Sequence, residues 1–404
     1  MTRRRQVTIR EVAQAAGVST QTVSRVLNYR PDVAPDTVAR VREVIAELSY
    51  SPNLLARGLT QGRTHLLGVV AYGLEYFGPS RIITGIEQQA SAMGYSISLT
   101  LIHRPETDDV DDLLANLVGR QVDGVLWAIP EVANNRAWLR SRAHDVPVPL
   151  VLVGGTAGEQ ERPSIGIDNR AMGRIATEHL LAGGARKIGV VTGPLDWWEA
   201  RQREAGWRQT MESTPTESLD DLVAEGDWTA ASGEEGLYQL LRSAPDIDAV
   251  FASNDQMALG VLHAAHRLGR RVPEDLAVVG VDDIAEGSHF WPPLTTVHQP
   301  LRDAGMLAVE TVVRLIRATR PGRRPDEPPV ESSRLLQPEL IVRQSSRPVP
   351  TASVPEGPAG RAIASPRSFA PGLGSGHDDP DAAAAGVDDV EHTVVDSDAL
   401  RGHE

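Results

Sequence analysis

The chain of 404 residues contains no cysteine. That excludes disulfides and thiolate metal sites and suits a reducing compartment. Lysine is almost missing too, with Lys187 the single example, so arginine carries the positive charge. No stretch has the run of about 20 apolar residues that a bilayer-spanning helix needs. The opening MTRRRQVTIREVAQ lacks the apolar core of a secretory signal. A cytoplasmic chain without a membrane partner is therefore expected. Phosphate cradles are also missing. No G-x-G-x-x-G or G-x-x-x-x-G-K-[ST] follows a candidate strand, which argues against a dinucleotide or NTP cofactor. His179, His263, His266, His289 and His298 are scattered without metal-ligand spacing, so neither a metal site nor a catalytic cluster is expected.

What is present is unevenly distributed. The net charge is -14, yet residues 1–63 hold ten arginines against five acidic residues, a local +5 that leaves -19 on the rest. A nucleic-acid partner needs a basic patch, not a basic whole protein. Within that patch, Ile9, Val12, Ala13 and Ala16 recur at helical spacing. Thr8 and Glu11 are spaced as a capping box, and Val7 and Val12 as a hydrophobic staple. Gly17 then offers a left-handed stop before a second helix opens at Ser19. Two short capped helices across a glycine turn predict a helix-turn-helix, whose second helix enters the DNA major groove. Thr20, Gln21 and Thr22 lie in its first turn and Ser24 and Arg25 one turn on. Gln21 can pair with adenine, and Arg25 with guanine or a phosphate. Thr8, Ser19 and Asn28 complete the set expected to face DNA. A third helix, begun by Pro35, has Val38, Val41, Ile45 and Leu48 as its apolar stripe and Ala34 where a capping hydroxyl would serve better.

The strings TIREVAQAAGVSTQTVSRVLN and SPNLLARGL, with the helix between them, resemble the LacI/GalR family of bacterial transcription regulators. The resemblance implies that SPNLLARGL is a hinge helix entering the minor groove at the operator centre. Leu59 would be the wedge between base pairs, Ala56 would pack on its dyad mate, and Asn53 and Arg57 would face the backbone or groove. Gly58 lowers the helix propensity of this segment by about 1 kcal/mol relative to alanine, so the hinge should fold only on DNA.

From Leu66 onward the pattern alternates strand and helix. Apolar runs LLGVVAY, SISLTLI, VDGVLWA and PLVLV form one set, and SIGI, KIGVV, DAVFAS and LAVVGV a second. Helices are expected at Ile82–Ala92, Ala171–Ala182, Glu234–Leu241 and Met257–Leu268. Two such blocks predict two doubly wound parallel sheets, with ligands at the carboxyl ends of the strands. The resemblance extends to about Arg343 and implies a core like the periplasmic sugar-binding proteins, with the chain crossing between lobes near residues 163, 293 and 325. The division predicted is a head at 1–49, a hinge at 50–63, a two-lobed effector and dimerisation core at 64–345, and a disordered acidic tail at 346–404. The tail, with four arginines against ten acidic residues in 347–404, has few apolar side chains to offset the entropy of ordering. It has no sustained heptads, which favours a homodimer.

Further strings, GPLDWWEARQREAGW, EGDWTAASG, SNDQMALG, VVGVDD and PPLTTVHQPL, resemble one sugar-responsive member of the family. The match implies that Arg201, Trp228, Asn254, Asp282 and Gln299 surround an effector. Tyr76, Phe77, Pro79 and Ile82 would form the opposite wall, with Trp197 near the mouth. Arginine, aspartate and asparagine suit paired hydroxyls, and tryptophan suits the C–H face of a sugar. Asn254 reads equally as a helix cap. Val153, Trp197 and Leu301 stand where that member has aspartate, serine and phenylalanine, so the ligand is expected to be a saccharide or glycoside but not specifically a galactoside. The resulting expectation is a repressor released from a palindromic operator by a sugar inducer, through a first-lobe dimer contact involving Ile82, Ile83 and Ile86. A corepressor-dependent or activating member, a sugar-transport component and an α/β enzyme remain as alternatives.

Overall fold

A computed structural model describes residues 7–27, 29–50, 63–105, 110–138, 146–155, 162–214, 218–319 and 333–347. The head consists of three helices, α1 (Ile9–Ala16), α2 (Thr20–Leu27) and α3 (Pro35–Glu47). Thr8 caps α1 with the reciprocal Glu11 bond in place, and Gly17 closes the helix at φ 65°. Ser19 Oγ accepts from the Thr22 amide at 3.1 Å, which fixes the start of α2. Val12, Ala13, Ala16, Val23, Val26, Val41 and Val44 form the small core, and Tyr50 packs on its edge. Helix α3 has no side-chain cap at Ala34, as its sequence predicts. Its buried stripe runs through Val41 and Val44, while Val38, Ile45 and Leu48 are only half-buried.

Two six-stranded sheets make up the core, each strand buried on both faces except at the edges. The first holds β1 (Leu66–Ala71), β2 (Ser96–Leu101), β3 (Gly124–Ala128), β4 (Leu150–Val153), β5 (Ser164–Ile167) and β11 (Ser333–Leu336) in the order β11-β5-β4-β3-β1-β2. All its pairings are parallel. The second holds β6 (Ile188–Thr192), β7 (Val223–Glu225), β8 (Ala249–Ala252), β9 (Ala277–Asp282), β10 (Thr295–His298) and β12 (Glu339–Ile341) in the order β12-β10-β9-β8-β6-β7, with β12 antiparallel. The intervening helices are α4 (Phe77–Ala92), α5 (Val110–Gly119), α6 (Asn169–Ala182), α7 (Trp198–Met211), α8 (Ala230–Ser243), α9 (Asp255–Arg267) and α10 (Leu301–Ala318).

The chain changes lobes later than predicted. SIGI is β5 and belongs to the first sheet, so the first crossing follows it at about residue 168, not 163. Strand β10 is in the second sheet, which moves the second crossing to 299–300, after which α10 packs on β3, β4 and β5. Strand β11 is again in the first sheet and β12 in the second, so the third crossing is at 337–338, not 325. A strand buried on both faces reads alike in either sheet, and its pattern cannot say which lobe owns it.

Three helix pairs meet at reciprocal glycines. A Cβ on Gly173 of α6 would lie 1.9 Å from the Arg203 carbonyl oxygen, and one on Gly206 of α7 would lie 2.1 Å from that of Arg170. The same exchange joins α4 to α10 through Gly85 and Gly305, and α8 to α9 through Gly233 and Gly260. Helix α4 therefore spends one face on α10. Ile86 is fully buried there and so is not available to a partner subunit, while Ile82 lines the cleft and Ile83 is half-buried. Exposed apolar side chains lie instead at Leu99 and Leu101 on the edge strand β2 and at Leu259 and Trp291 in the second lobe. At the far end, Ser345 and Ser346 are buried against β9 and β10, so ordered packing continues past residue 345, into the segment that composition assigned to the tail.

Candidate DNA-reading helix and effector cleft

On α2 the side chains of Thr20, Gln21 and Arg25 are exposed, and Thr22 and Ser24 half-buried. Arg25 is paired with Asp32 at 3.4 Å across open solvent, a contact weak enough to yield to a phosphate. The hydroxyls of Thr8 and Ser19 are engaged as caps, so any DNA contact they make comes in addition to that task. Asn28, Asn53, Ala56, Arg57 and Leu59, with the hinge prediction they carry, lie outside the described residues.

Between the lobes is a cleft of ≈ 400 Å³, near the lower end of the roughly 300–1,000 Å³ usual for small-molecule sites. Tyr76, Phe77, Pro79, Ile82, Val153, Gly154 and Leu301 line it from the first lobe. Trp197, Trp228, Asn254, Asp282 and Gln299 line it from the second, as the sequence placed them. Arg201 does not. Its Nη1 donates to the carbonyls of Leu195 and Asp196, at 2.9 and 2.8 Å, and so it stabilises the loop entering α7. The guanidinium in the cleft belongs to Arg203, two residues on. On a helix two residues turn a side chain by about 200°, so the two point to opposite sides.

Arg203 is held from several directions. Nε donates to Asn169 Oδ1 at 2.8 Å across the α6–α7 contact that Gly173 and Gly206 permit, and Nη1 donates to the Ser253 carbonyl. The guanidinium lies 5.5 Å from the Trp228 ring. Burial pushes its pKa down, an effect opposed by Asp282, Glu199 and Asp255. Asp282 is pushed up by burial and held back by Arg203 and by the amide that Gln299 donates to it. Asn254 is the helix cap that the sequence also allowed, and both of its amide atoms have protein partners. Oδ1 caps α9 through the Met257 amide at 2.8 Å, and Nδ2 holds the Trp228 carbonyl at 3.0 Å at the cleft wall.

Trp197 packs edge-on to Tyr76 and Trp228, with ring centroids 5.5 and 5.8 Å away, and tilts toward Tyr72 at 6.1 Å. Beside it the lobes join through main chain. Val132 and Trp197 form an antiparallel bridge, with Ala133 N donating to Asp196 O and Trp198 N to Glu131 O, each at 2.8 Å. Three polar atoms on residues lining the cleft are sealed from solvent and have no protein partner: Glu199 Oε2, Gln256 Oε1 and Trp228 Nε1. Glu199 and Arg203 were legible as a Glu-x-x-x-Arg pair on one helix face. Among the described residues no group of His, Asp or Glu is arranged to hold a metal, and no helix is long and apolar enough to cross a membrane.

A DNA-reading head on a two-lobed cleft has a counterpart among known proteins. Residues 8–53 match the bacterial regulatory proteins of the lacI family, and residues 177–346 a periplasmic binding protein-like domain. The transcriptional repressor PurR of Haemophilus influenzae is 34% identical over 345 residues, covering 85% of this chain and 99% of that protein. This chain belongs to the LacI family. The structure of the lac repressor dimer bound to operator and the anti-inducer ONPF superposes with a TM-score of 0.73 at 31% identity, covering 85% of this chain and 99% of that one. A complex of the transcriptional regulator CelR with cellobiose gives 0.60 at 33% identity, covering 84% and 100%. LacI-family proteins are DNA-binding transcriptional repressors and not enzymes, so the enzyme alternative is set aside.

Proposed function

We propose that this LacI-family protein represses sugar-utilisation genes and is released from a palindromic operator by a saccharide or glycoside bound between its lobes. The observation that carries the saccharide assignment is the trio of sealed, unpartnered polar atoms beside a tryptophan-rich wall. Two acceptors and one donor suit hydroxyls, which give and take hydrogen bonds, and the Trp197–Trp228 surface suits C–H faces of a sugar ring. The cellobiose complex of its structural neighbour supports the same assignment. In solution the protein acts as a cytoplasmic homodimer, supported by the dimeric lac repressor structure and by exposed Leu99 and Leu101 on the free edge of β2. The effector alters the angle between lobes, and residues 50–63 pass that change to the head. A coupling of about 1–3 kcal/mol is enough for such a switch. Gel-shift titration of an operator-bearing fragment with and without a saccharide panel tests this. Weaker binding with sugar is expected. Tighter binding would reverse the inducer logic, and unchanged binding with every sugar would remove it. Leu59→Ala should lose operator affinity while keeping its sugar response, and equal operator affinity would overturn the wedge role assigned to Leu59.

A further inference from the structure

Glu199 lies one turn before Arg203 on α7 and faces the first lobe across the cleft. Two guanidiniums are near it, and neither is hydrogen-bonded to it. Arg136 donates Nη1 to the Gly154 carbonyl and Nη2 to that of Ile129, both at 3.0 Å, and pairs with Glu131 at 3.7 Å. Arg203 is occupied by Asn169 and Ser253. Glu199 Oε2 is left as a sealed acceptor without a partner, and Gln256 Oε1, on the same lobe, is a second. The ionisable side chains on the wall are Glu75, Glu199, Asp282 and Arg203, and burial pushes the pKa of both Glu199 and Asp282 up while Arg203 opposes the rise.

An acceptor sealed from water stays unsatisfied unless the ligand brings an O–H or N–H to it. Burial pushes the Glu199 pKa up and the nearby Arg136 and Arg203 oppose it; in its ionised form the group repels a phosphoryl or carboxylate group, which also has little hydrogen to give. Specificity then comes from attraction and exclusion at one atom.

Resting on the saccharide assignment above, we propose that Glu199 determines effector specificity: it accepts a hydrogen bond from the ligand, so that the cleft takes an uncharged or amino saccharide and rejects sugar phosphates and sugar acids. The test uses the full-length protein, followed by tryptophan fluorescence and melting temperature. The probes are neutral hexoses and disaccharides including cellobiose, hexosamines, hexose 6-phosphates, aldonates and hypoxanthine. The strongest response should come from a neutral or amino sugar, with its phosphorylated or acidic counterpart at least tenfold weaker. Glu199→Gln, its fold checked by circular dichroism, should bind the best ligand at least tenfold more weakly and narrow that gap. A 6-phosphate or aldonate that binds the wild type as tightly as its neutral parent overturns the proposal, whatever the variant does. So does a Glu199→Gln protein within twofold of wild type on every sugar; in that case the saccharide assignment survives and only the role of Glu199 is lost. A response to hypoxanthine with none to any sugar removes both.

Discussion

Arg203 holds together three parts of the second lobe that lie far apart in the chain: Asn169 on α6, the strand end at Ser253 and the ring of Trp228. Replacing it by leucine leaves Asp282 buried without its compensating charge, a change that typically destabilises by about 3–5 kcal/mol. Arg203→Leu should therefore lower the melting temperature and abolish the tryptophan response to sugar. Arg201→Ala should cost only about 1 kcal/mol for its carbonyl contacts and keep that response. Loss of sugar binding in the second variant would exchange their roles. His179 carries a different prediction. Its Nε2 is 2.8 Å from Ser346 Oγ, which also meets Thr295, and burial pushes its pKa below the ordinary 6.5. The unfolded chain thus takes up this proton at a higher pH than the native one, so stability is complete above that pH and falls as pH drops through it. His179→Gln should flatten the slope of urea-midpoint stability between about pH 7 and 5; an unchanged slope would assign it to other groups. At this scale the sequence identified residue types correctly and missed phase. Trp228, Asn254, Asp282 and Gln299 sit at strand ends or on loops, where position in the string translates directly into position at the cleft. Arg203 sits on a helix, where a shift of two residues changes sides.

The elements legible in the sequence were those whose buried face is apolar. Strands β1, β3, β4, β6, β8 and β9 lie within the runs assigned to them or one residue beyond, because each is buried on both faces. Helix α7 gave no such signal. Its buried positions are Ala200, Arg203, Gly206, Trp207 and Met211, a face with an arginine and a glycine where a stripe of leucines would be recognisable. The close approach of α6 and α7 depends on backbone meeting backbone, which no hydrophobic pattern encodes. Gly173→Ala should force the helices apart, at the typical overpacking cost of 1–3 kcal/mol or more, and draw Asn169 away from Arg203. The expected result is a lower melting temperature together with weakened sugar binding; a loss of stability alone would separate the helix contact from the site. In the head, Ser19→Ala removes the cap of α2 at about 1 kcal/mol and should weaken operator binding uniformly across base substitutions, where Gln21→Ala should alter sequence preference.

At the scale of the molecule, composition showed two lobes and a separate head, and resemblance named the arrangement. Neither located the crossings, since a short connection between sheets looks like any other loop. Nor could either foresee that the lobes would be joined beside the cleft by paired main-chain bonds between residues 131–133 and 196–198. That join has a kinetic consequence. For an effector admitted by parting of the lobes, that parting breaks the Ala133–Asp196 and Trp198–Glu131 bonds together. In stopped-flow mixing the observed association rate should therefore climb with sugar concentration and then level off at the speed of opening. Ala133→Pro, which removes the amide that donates to Asp196, should raise the plateau. A rate that rises linearly without limit would mean that the gate stands open, and that the gene's response is timed by diffusion alone.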